Sequence, residues 1–337
     1  PKPKQHLYLV VDDWERGYSI RKLDVDAFLA ESPDSDTDLL PPEQLTEPPV
    51  ARMEALHETS CEFISHGTKI FAMQPGEAKP AIPAFDTATL GLAICPWPSC
   101  RGDYSDPLFA SVGGKLFLFT NALAEYLGDQ PSYDSTAPWS WTPIGKARPP
   151  FYTSQVLCHA LHPDGRTLFV SAGSRFRRQQ GTFSFDAERL RWTRHGDWVL
   201  PFTGQAYFDA ELEAWVGLCG DERRNGVGYL CCSDVAPVAA EFTTPPRWKL
   251  GRRQDKVCRK GTELSLGARL LYCLLHKDDQ HLGQDHVHDA QHPRPRRRVL
   301  RMMTFGLKYN SKGELQMKLQ RAGACKMYER PHDFGES

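Results

Sequence analysis

Short apolar runs separated by polar turns fill this chain, and few positions keep the 3.6-residue spacing of an amphipathic helix. One pattern recurs, a turn followed by a short apolar strand. It is seen in HGTKIFAM at Gly67, GGKLFLFT at Gly114, PDGRTLFVSA at Gly165, DAELEAWVGLC near Glu213 and LGARLLYCLL at Gly267. The period is about fifty residues. A second hairpin follows within each unit. FSFDAERLRWTRHG, with Phe185, Asp186 and Trp192, is its clearest form, PAFDTATLGLAICPW (Phe85, Asp86) is a weaker copy, and LRMMTFGLKYNSKGELQMKL turns around Asn310 to Gly313.

Each unit therefore reads as four strands, A to D, and four strands per period predict a β-propeller. One small sheet cannot bury both faces alone; packing sheets radially buries them, and closing the ring leaves only short edges. Five units fill the chain from Ser60 to Gln320. HLYLVVDD, YSIRKLDVD and PPVARMEAL at the start, with GACKMYE (Gly323 to Glu329) at the end, complete a sixth. The expectation is an all-β, six-bladed propeller of four-stranded antiparallel blades. The N- and C-terminal strands close it in one blade, the C-terminal piece being innermost. Five or seven blades are the alternatives, and residues 1–337 form one domain. Only Asp24 to Ala30 and Asn121 to Leu127 read as short helices. The Pro/Asp/Glu/Ser-rich stretch 31–48 reads as an exposed loop, and 277–297 as a long His/Asp/Arg-rich one.

Composition narrows the function classes. Among 337 residues, 41 Lys+Arg face 42 Asp+Glu for a net charge of −1, with 40% hydrophobic and 25% charged residues. The even balance argues against a dedicated nucleic-acid binder and excludes an acidic disordered chain. No apolar stretch is long enough to span a membrane. Ten cysteines are too sparse for a disulfide scaffold, and Cys158, Cys219, Cys231, Cys232 and Cys273 sit in strand-like apolar runs. They read as reduced, buried thiols of a cytoplasmic or nuclear protein. Because the sequence opens at Pro1, an upstream targeting peptide, F-box or partner-binding segment stays open.

Candidate chemistry is thin. His276, His281, His286, His288 and His292 crowd together with Asp278, Asp279, Asp285 and Asp289, but their spacing matches no rigid ligand pair, so a solvated loop is the reading. Cys95 and Cys100, with Pro96 and Pro98 between them, do not fit CxxC chemistry. His195 beside Asp197 reads as a strand-end anchor, and Trp192, Trp198, Trp215 and Trp248 as packing between blades. G-x-S-x-G, GxGxxG and the P-loop are absent. No cofactor, metal site or catalytic constellation is implied. The inner strands supply His66, His159 and Glu263 without a matched carboxylate pair, which makes a channel-sited hydrolase or lyase the alternative to a non-enzyme.

The arginines are more informative. Arg175, Arg177 and Arg178 lie between strands B and C of one unit, and Arg223 and Arg224 in the equivalent loop of the next. Arg294, Arg296, Arg297 and Arg298 end that loop in the fifth unit, and Arg252 and Arg253 occupy a D-to-A connection. In a four-stranded meander the B–C and D–A connections share one end, which gathers these guanidiniums; turns such as DAELE and DAER make the other end acidic. Guanidinium forks grip carboxylates and phosphates bidentately, so an acidic or phosphorylated protein partner is expected there. Asp221, Glu222, Asp278 and Asp279 in the same loops favour the plainer reading of a solvated rim. PRPRRR also matches a nuclear import patch, and weak nucleic-acid binding through the basic loops is a third reading.

The phrases GTFSFDAERLRWTRHGDWVLPFTGQAYFDAELEAWVGL, HLYLVVDDWERGYSIRKLDVDAF and LRMMTFGLKYNSKGEL resemble the plant family called domain of unknown function 1668, from His6 to Tyr328. The resemblance implies a grass-expanded plant protein with a kelch-like or F-box-associated-like propeller. It supplies no activity, cofactor or catalytic residue to carry over.

Overall fold

The backbone of the computed structural model is strand followed by tight turn over almost its whole course. The structure describes residues 6–14, 16–30, 48–54, 62–73, 81–99, 107–132, 134–173, 180–220, 229–239, 244–251, 263–267, 270–277 and 297–327. Three antiparallel strands open the chain, β1 (His6–Trp14), β2 (Gly17–Asp24) and β3 (Ala51–Glu54), in that order. The short helix α1 (Val25–Ala30) follows β2, as expected, and Asp24 caps it by accepting from Ala27 N at 3.1 Å.

Five four-stranded meanders come next. The second sheet is β4 (Glu62–His66), β5 (Lys69–Met73), β6 (Ala81–Asp86) and β7 (Leu92–Pro96). The third is β8 (Leu108–Val112), β9 (Lys115–Phe119), β10 (Ala124–Leu127) and β11 (Trp141–Pro143). The fourth is β12 (Val156–Leu161), β13 (Thr167–Gly173), β14 (Gln180–Asp186) and β15 (Arg191–Gly196). The fifth is β16 (Phe202–Asp209), β17 (Ala214–Cys219), β18 (Leu230–Asp234) and β19 (Trp248–Leu250). The sixth is β20 (Glu263–Gly267), β21 (Leu270–Lys277), β22 (Arg297–Tyr309) and β23 (Leu315–Met327). All five turns that mark the sequence repeat fall between first and second strands.

Two expectations change. Asn121 to Leu127 is a turn and a strand: Thr120 Oγ1 accepts from Ala122 N and Leu123 N at 3.2 and 3.1 Å, and β10 then pairs with β9 and β11. Cross-strand pairing overrides a weak local helical bias. At the C-terminus, Gly323 to Met327 continue β23 in the sixth sheet, so the first sheet has three strands among the described residues. β22 and β23 are 13 residues each, and their turn is set by Asn310, whose Oδ1 accepts from Lys312 N and Glu314 N at 3.0 and 2.8 Å.

The chain divides into two compact units. One holds residues 1–58, 260–306 and 318–337. In its first sheet Arg21 donates twice to Asp13 Oδ2, from Nε at 3.0 Å and Nη2 at 2.7 Å, with both side chains almost wholly buried. The other holds residues 59–259 and 307–317. Here the sequence logic is plain. β9 reads KLFLF because both its faces are covered: Leu116 and Leu118 turn toward the second sheet, Phe117 and Phe119 toward the fourth. Leu168 and Val170 of β13 face the third sheet and Phe169 the fifth. A strand buried on both sides shows an unbroken apolar run rather than alternation, and three successive seams join the second to fifth sheets face to face.

The seams repeat a polar detail. Trp141 Nε1 donates to Pro96 O at 2.8 Å, and Trp192 Nε1 to Ala147 O at 2.9 Å, each bond spanning 45 residues, the first to the last strand of the preceding sheet and the second to the segment just after that strand. Turns repeat too. Asp86, Asp186 and Asp209 each accept from backbone N–H groups two and three residues on. The fourth residue on, Leu90, Leu190 or Glu213, is then left-handed, with φ of 59, 53 and 50°. That conformation is uncommon outside glycine and is held here by the carboxylate-capped turn.

Candidate functional site

Strand direction decides which loops can act together. β12 and β16, the first strands of the fourth and fifth sheets, pair in parallel through Cys158↔Gly204, His159↔Gln205 and Ala160↔Ala206, making one eight-stranded sheet. Gly204 (φ 67°) sits in the irregular stretch of β16 between Thr203 and Tyr207, a backbone conformation that suits glycine. Because β12 and β16 run the same way, β13 and β17 both return the opposite way. The β13–β14 and β17–β18 connections therefore leave from the same end of the sheet. The third sheet agrees: Asn121, in its second-to-third-strand turn, accepts from Thr153 N at 2.9 Å in the connection leading to β12.

The arginines that sequence places in these loops, Arg175, Arg177, Arg178, Arg223 and Arg224, lie outside the described residues, as do Arg252, Arg253, Arg294 and Arg296. Arg297 and Arg298 begin β22, where only the backbone is described. The cluster from His281 to His292 and Cys100 also lie outside, and His276 is a backbone position in β21.

At the opposite end the carboxylates are structural. Asp164 takes Arg166 N, Thr167 N and the Thr167 hydroxyl, which bring its carboxyl below the usual carboxylate range against the opposing effect of burial. Arg166 pairs with Glu188 at 3.0 Å, and Lys69 with Asp86 at 2.9 Å. That lysine, helped by the turn amides, brings Asp86 down to about 2. Turn capping and nearby basic side chains thus absorb much of the acidity read from the sequence.

His195 and Asp197 take separate partners: His195 Nε2 lies 2.8 Å from Ser184 Oγ inside the fourth sheet, and Asp197 pairs with Arg194. The His195 partner is buried within the sheet, whereas the Asp197 carboxylate is paired on the surface. Trp192, Trp198, Trp215 and Trp248 all belong to or pack on the seams, and Trp215 Nε1 donates to Leu161 O at 2.8 Å. Cys95, Cys158, Cys219, Cys231 and Cys232 are buried free thiols. Burial pushes Cys95 and Cys158 up to about 12, so neither offers a thiolate at neutral pH.

Of the inner-strand residues, His66 gains a partner that sequence reasoning missed. At the end of β4, its Nδ1 lies 2.8 Å from Ser111 Oγ on β8, an exposed hydroxyl of the next sheet. Burial lowers the His66 pKa, partly opposed by Asp129, so the ring is neutral at pH 7 and able to accept a proton. The repeat itself was the available signal, since equivalent first strands in adjacent sheets place 66 and 111 side by side. His159, on β12, is lowered to about 4 by burial. Glu263 begins β20, where only the backbone is described. Among the described residues no group of three or more His, Cys, Asp or Glu side chains could hold a metal ion, and no helix is long and apolar enough to cross a membrane.

Three solved structures resemble the chain at low identity. Hydrazine synthase of Kuenenia stuttgartiensis is 11% identical, over 86% of this chain and 68% of that one, with a TM-score of 0.37. The dihydro-heme d1 dehydrogenase NirN, in complex with DHE, is 12% identical over 96% and 73%, at 0.38. TolB from Acinetobacter baumannii is 8% identical over 89% and 91%, at 0.21. Similarity at this level transfers no activity. No curated protein matches. The profile described as "Protein of unknown function (DUF1668)" matches residues 4–325, nearly the whole length. The chain belongs to that family.

Proposed function

We propose that the protein is an interaction module, not an enzyme. Its six sheets serve as the blades of a propeller that docks an acidic or phosphorylated protein on its arginine-bearing end. The observation that carries this reading is the parallel pairing of β12 with β16. It puts the ends of β13 (Gly173) and β17 (Cys219), after which SRFRRQQ and DERRNG follow in the sequence, at one end of one sheet. Counted along the strand ladder, the path between the two hairpin ends is about 19 Å; the face-to-face seam makes the direct distance shorter, within the reach of roughly six extended residues. A partner with two acidic or phosphorylated positions at that separation meets both loops. Ring closure is part of the proposal: the first sheet and the end of β23, in the sixth sheet, belong to one compact unit. The setting proposed is the cytoplasm or nucleus of a plant cell.

Charge reversal tests it. Arg177→Glu, Arg178→Glu, Arg223→Glu and Arg224→Glu together should abolish recovery of partners from plant extract that the native chain captures at moderate salt. Unchanged recovery would refute the arginine face.

A second reading, a hydrolase, has one observation in its favour, the His66–Ser111 hydrogen bond. A fluorophosphonate probe that labels Ser111 in the native chain, and not after His66→Gln, would establish it; an unlabelled Ser111 would dispose of it.

A further inference from the structure

The connection from β15 to β16 is tied to both of the sheets it joins. Asp197 to Pro201 belong to no helix or strand, yet their backbone is held from two sides. On the side of the fourth sheet, Gln180 Nε2 donates to Asp197 O at 3.2 Å, Thr182 Oγ1 donates to Trp198 O at 2.7 Å, and Ser171 Oγ accepts from Leu200 N at 2.9 Å. The Ser171 and Thr182 hydroxyls also meet each other at 2.8 Å, and both residues are wholly buried. On the side of the fifth sheet, Gly220 N donates to Pro201 O at 2.9 Å. These groups sit at the strand ends from which the arginine-bearing segments continue in the sequence: Ser171 near the end of β13, Gln180 at the start of β14, and Gly220 just after β17. Backbone packs on backbone at both. A Cβ on Gly181 would lie 2.9 Å from Gly196 O, and one on Gly220 would lie 2.7 Å from Phe202 O, so glycine alone allows either approach. The segment between is stiff. Pro201 fixes its own φ and confines Leu200 to extended conformations, and Trp198 and Leu200 are buried in the seam.

We propose that residues 197–201 are a strut that fixes the spacing of these strand ends, with Ser171 and Thr182 as its positioning residues. Leu200 is anchored to the fourth sheet, and Pro201, one peptide bond on, holds Gly220 beside the fifth. A shift at one end is therefore passed to the other instead of being absorbed by a soft loop. The two hydroxyls are buried and uncharged, so they touch no partner and act only through the connection. The use of the strut rests on the arginine-face reading above. Ends held at one spacing select a partner by the separation of its two acidic or phosphorylated positions, and a partner with a single such position is bound no better for it.

Amide hydrogen exchange of the full chain, read at single residues, tests the strut without a partner. Thr182→Val keeps the shape of the side chain and removes its bond to Trp198 O. It should speed exchange of the Leu200 amide and, across the seam, of the Gly220 amide, each by about threefold to tenfold. Ala214 and Trp215, at the far end of β17, should keep native rates. Thr182→Ser, which retains the hydroxyl, should behave as the native chain, and Gly220→Ala should in turn speed the Leu200 amide. If far-UV circular dichroism shows Thr182→Val unfolded, Gln180→Ala, at an exposed residue, replaces it. A faster Leu200 with an unmoved Gly220, or equal acceleration at Ala214 and Trp215, would overturn the strut. Its use is read with a synthetic peptide carrying two phosphoserines about six residues apart and with its single-phosphate forms. The doubly phosphorylated peptide should bind the native chain about tenfold more tightly, and Thr182→Val should cut that advantage to about twofold with single-phosphate binding unchanged. An advantage untouched by Thr182→Val would overturn the strut's part in recognition. Binding of none of the peptides would count against the arginine face alone, because the exchange rates judge the strut by themselves.

Discussion

Replacing Phe185 by alanine probes the stacking of consecutive sheets where it is densest. Phe185 is fully buried in the seam between the third and fourth sheets. Its ring lies 5.1 Å from Phe117, 4.9 Å from Phe119 and 5.1 Å from Trp192, centre to centre, with interplanar angles of 72, 76 and 44°. The substitution removes a fully buried ring from between two sheets that cannot collapse onto each other, since both are held by their own ladders. The cost is about 3–5 kcal/mol, transfer and cavity together. The edge-to-face contact with Phe119 accounts for about 0.5–1.5 kcal/mol of it, to be read from a double-mutant cycle with Phe119→Ala. Urea unfolding followed by tryptophan fluorescence should show a lower midpoint at unchanged slope. Leu92→Ala, at an exposed residue of β7, should change stability by about 0.5 kcal/mol or less. A loss below about 1.5 kcal/mol for Phe185→Ala, with no coupling to Phe119, would mean that the two sheets are not packed through this ring.

Other outcomes follow from the same geometry. Native-state alkylation with iodoacetamide should leave Cys95, Cys158, Cys219, Cys231 and Cys232 unmodified, and all five should react in guanidinium; rapid native labelling at any of them would contradict its burial. His159, held neutral down to about pH 4 in the folded chain, takes up a proton on unfolding as soon as pH falls below the ordinary histidine value. Stability should therefore drop between about pH 6.5 and 4, by about 3 kcal/mol at most, and His159→Gln should flatten that limb. Asp86 works with the opposite sign: its lowered pKa stabilises the fold above about pH 4, and that small contribution fades as pH falls toward 2. Arg21→Ala strands the Asp13 carboxylate in the first sheet and should cost about 3–5 kcal/mol in thermal or urea unfolding, partly recovered by adding Asp13→Asn.

The sequence disclosed its hairpins well because each is written locally. Asp186 and the three residues after it specify both a carboxylate-capped turn and the left-handed Leu190, and Phe185 and Trp192 on either side are a cross-strand pair. The five turns of the repeat were legible for the same reason, as were the runs with both faces buried. What depended on distant neighbours was harder. Asn121 to Leu127 has a helical composition, and only pairing on two sides makes part of it a strand. His66 and Ser111 meet across 45 residues of chain, a contact set by sheet stacking rather than by anything near either residue. Trp141 was not singled out, although its bond to Pro96 is the one-repeat-earlier copy of Trp192 to Ala147. The C-terminal strand was misplaced because nothing local ends β23 at Gln320; the β22–β23 hairpin, begun at Asn310, runs on to Met327.

The central claim is that two loops leaving the same end of the fourth and fifth sheets grip one partner. Titration of a captured partner against three variants tests it most directly: Arg177→Glu/Arg178→Glu, Arg223→Glu/Arg224→Glu, and Arg166→Glu/Arg189→Glu at the other end. Shared engagement predicts that each of the first two weakens binding and lowers its salt dependence, while the third leaves affinity unchanged. Equal losses from both ends, or loss from only one of the two loops, would contradict it.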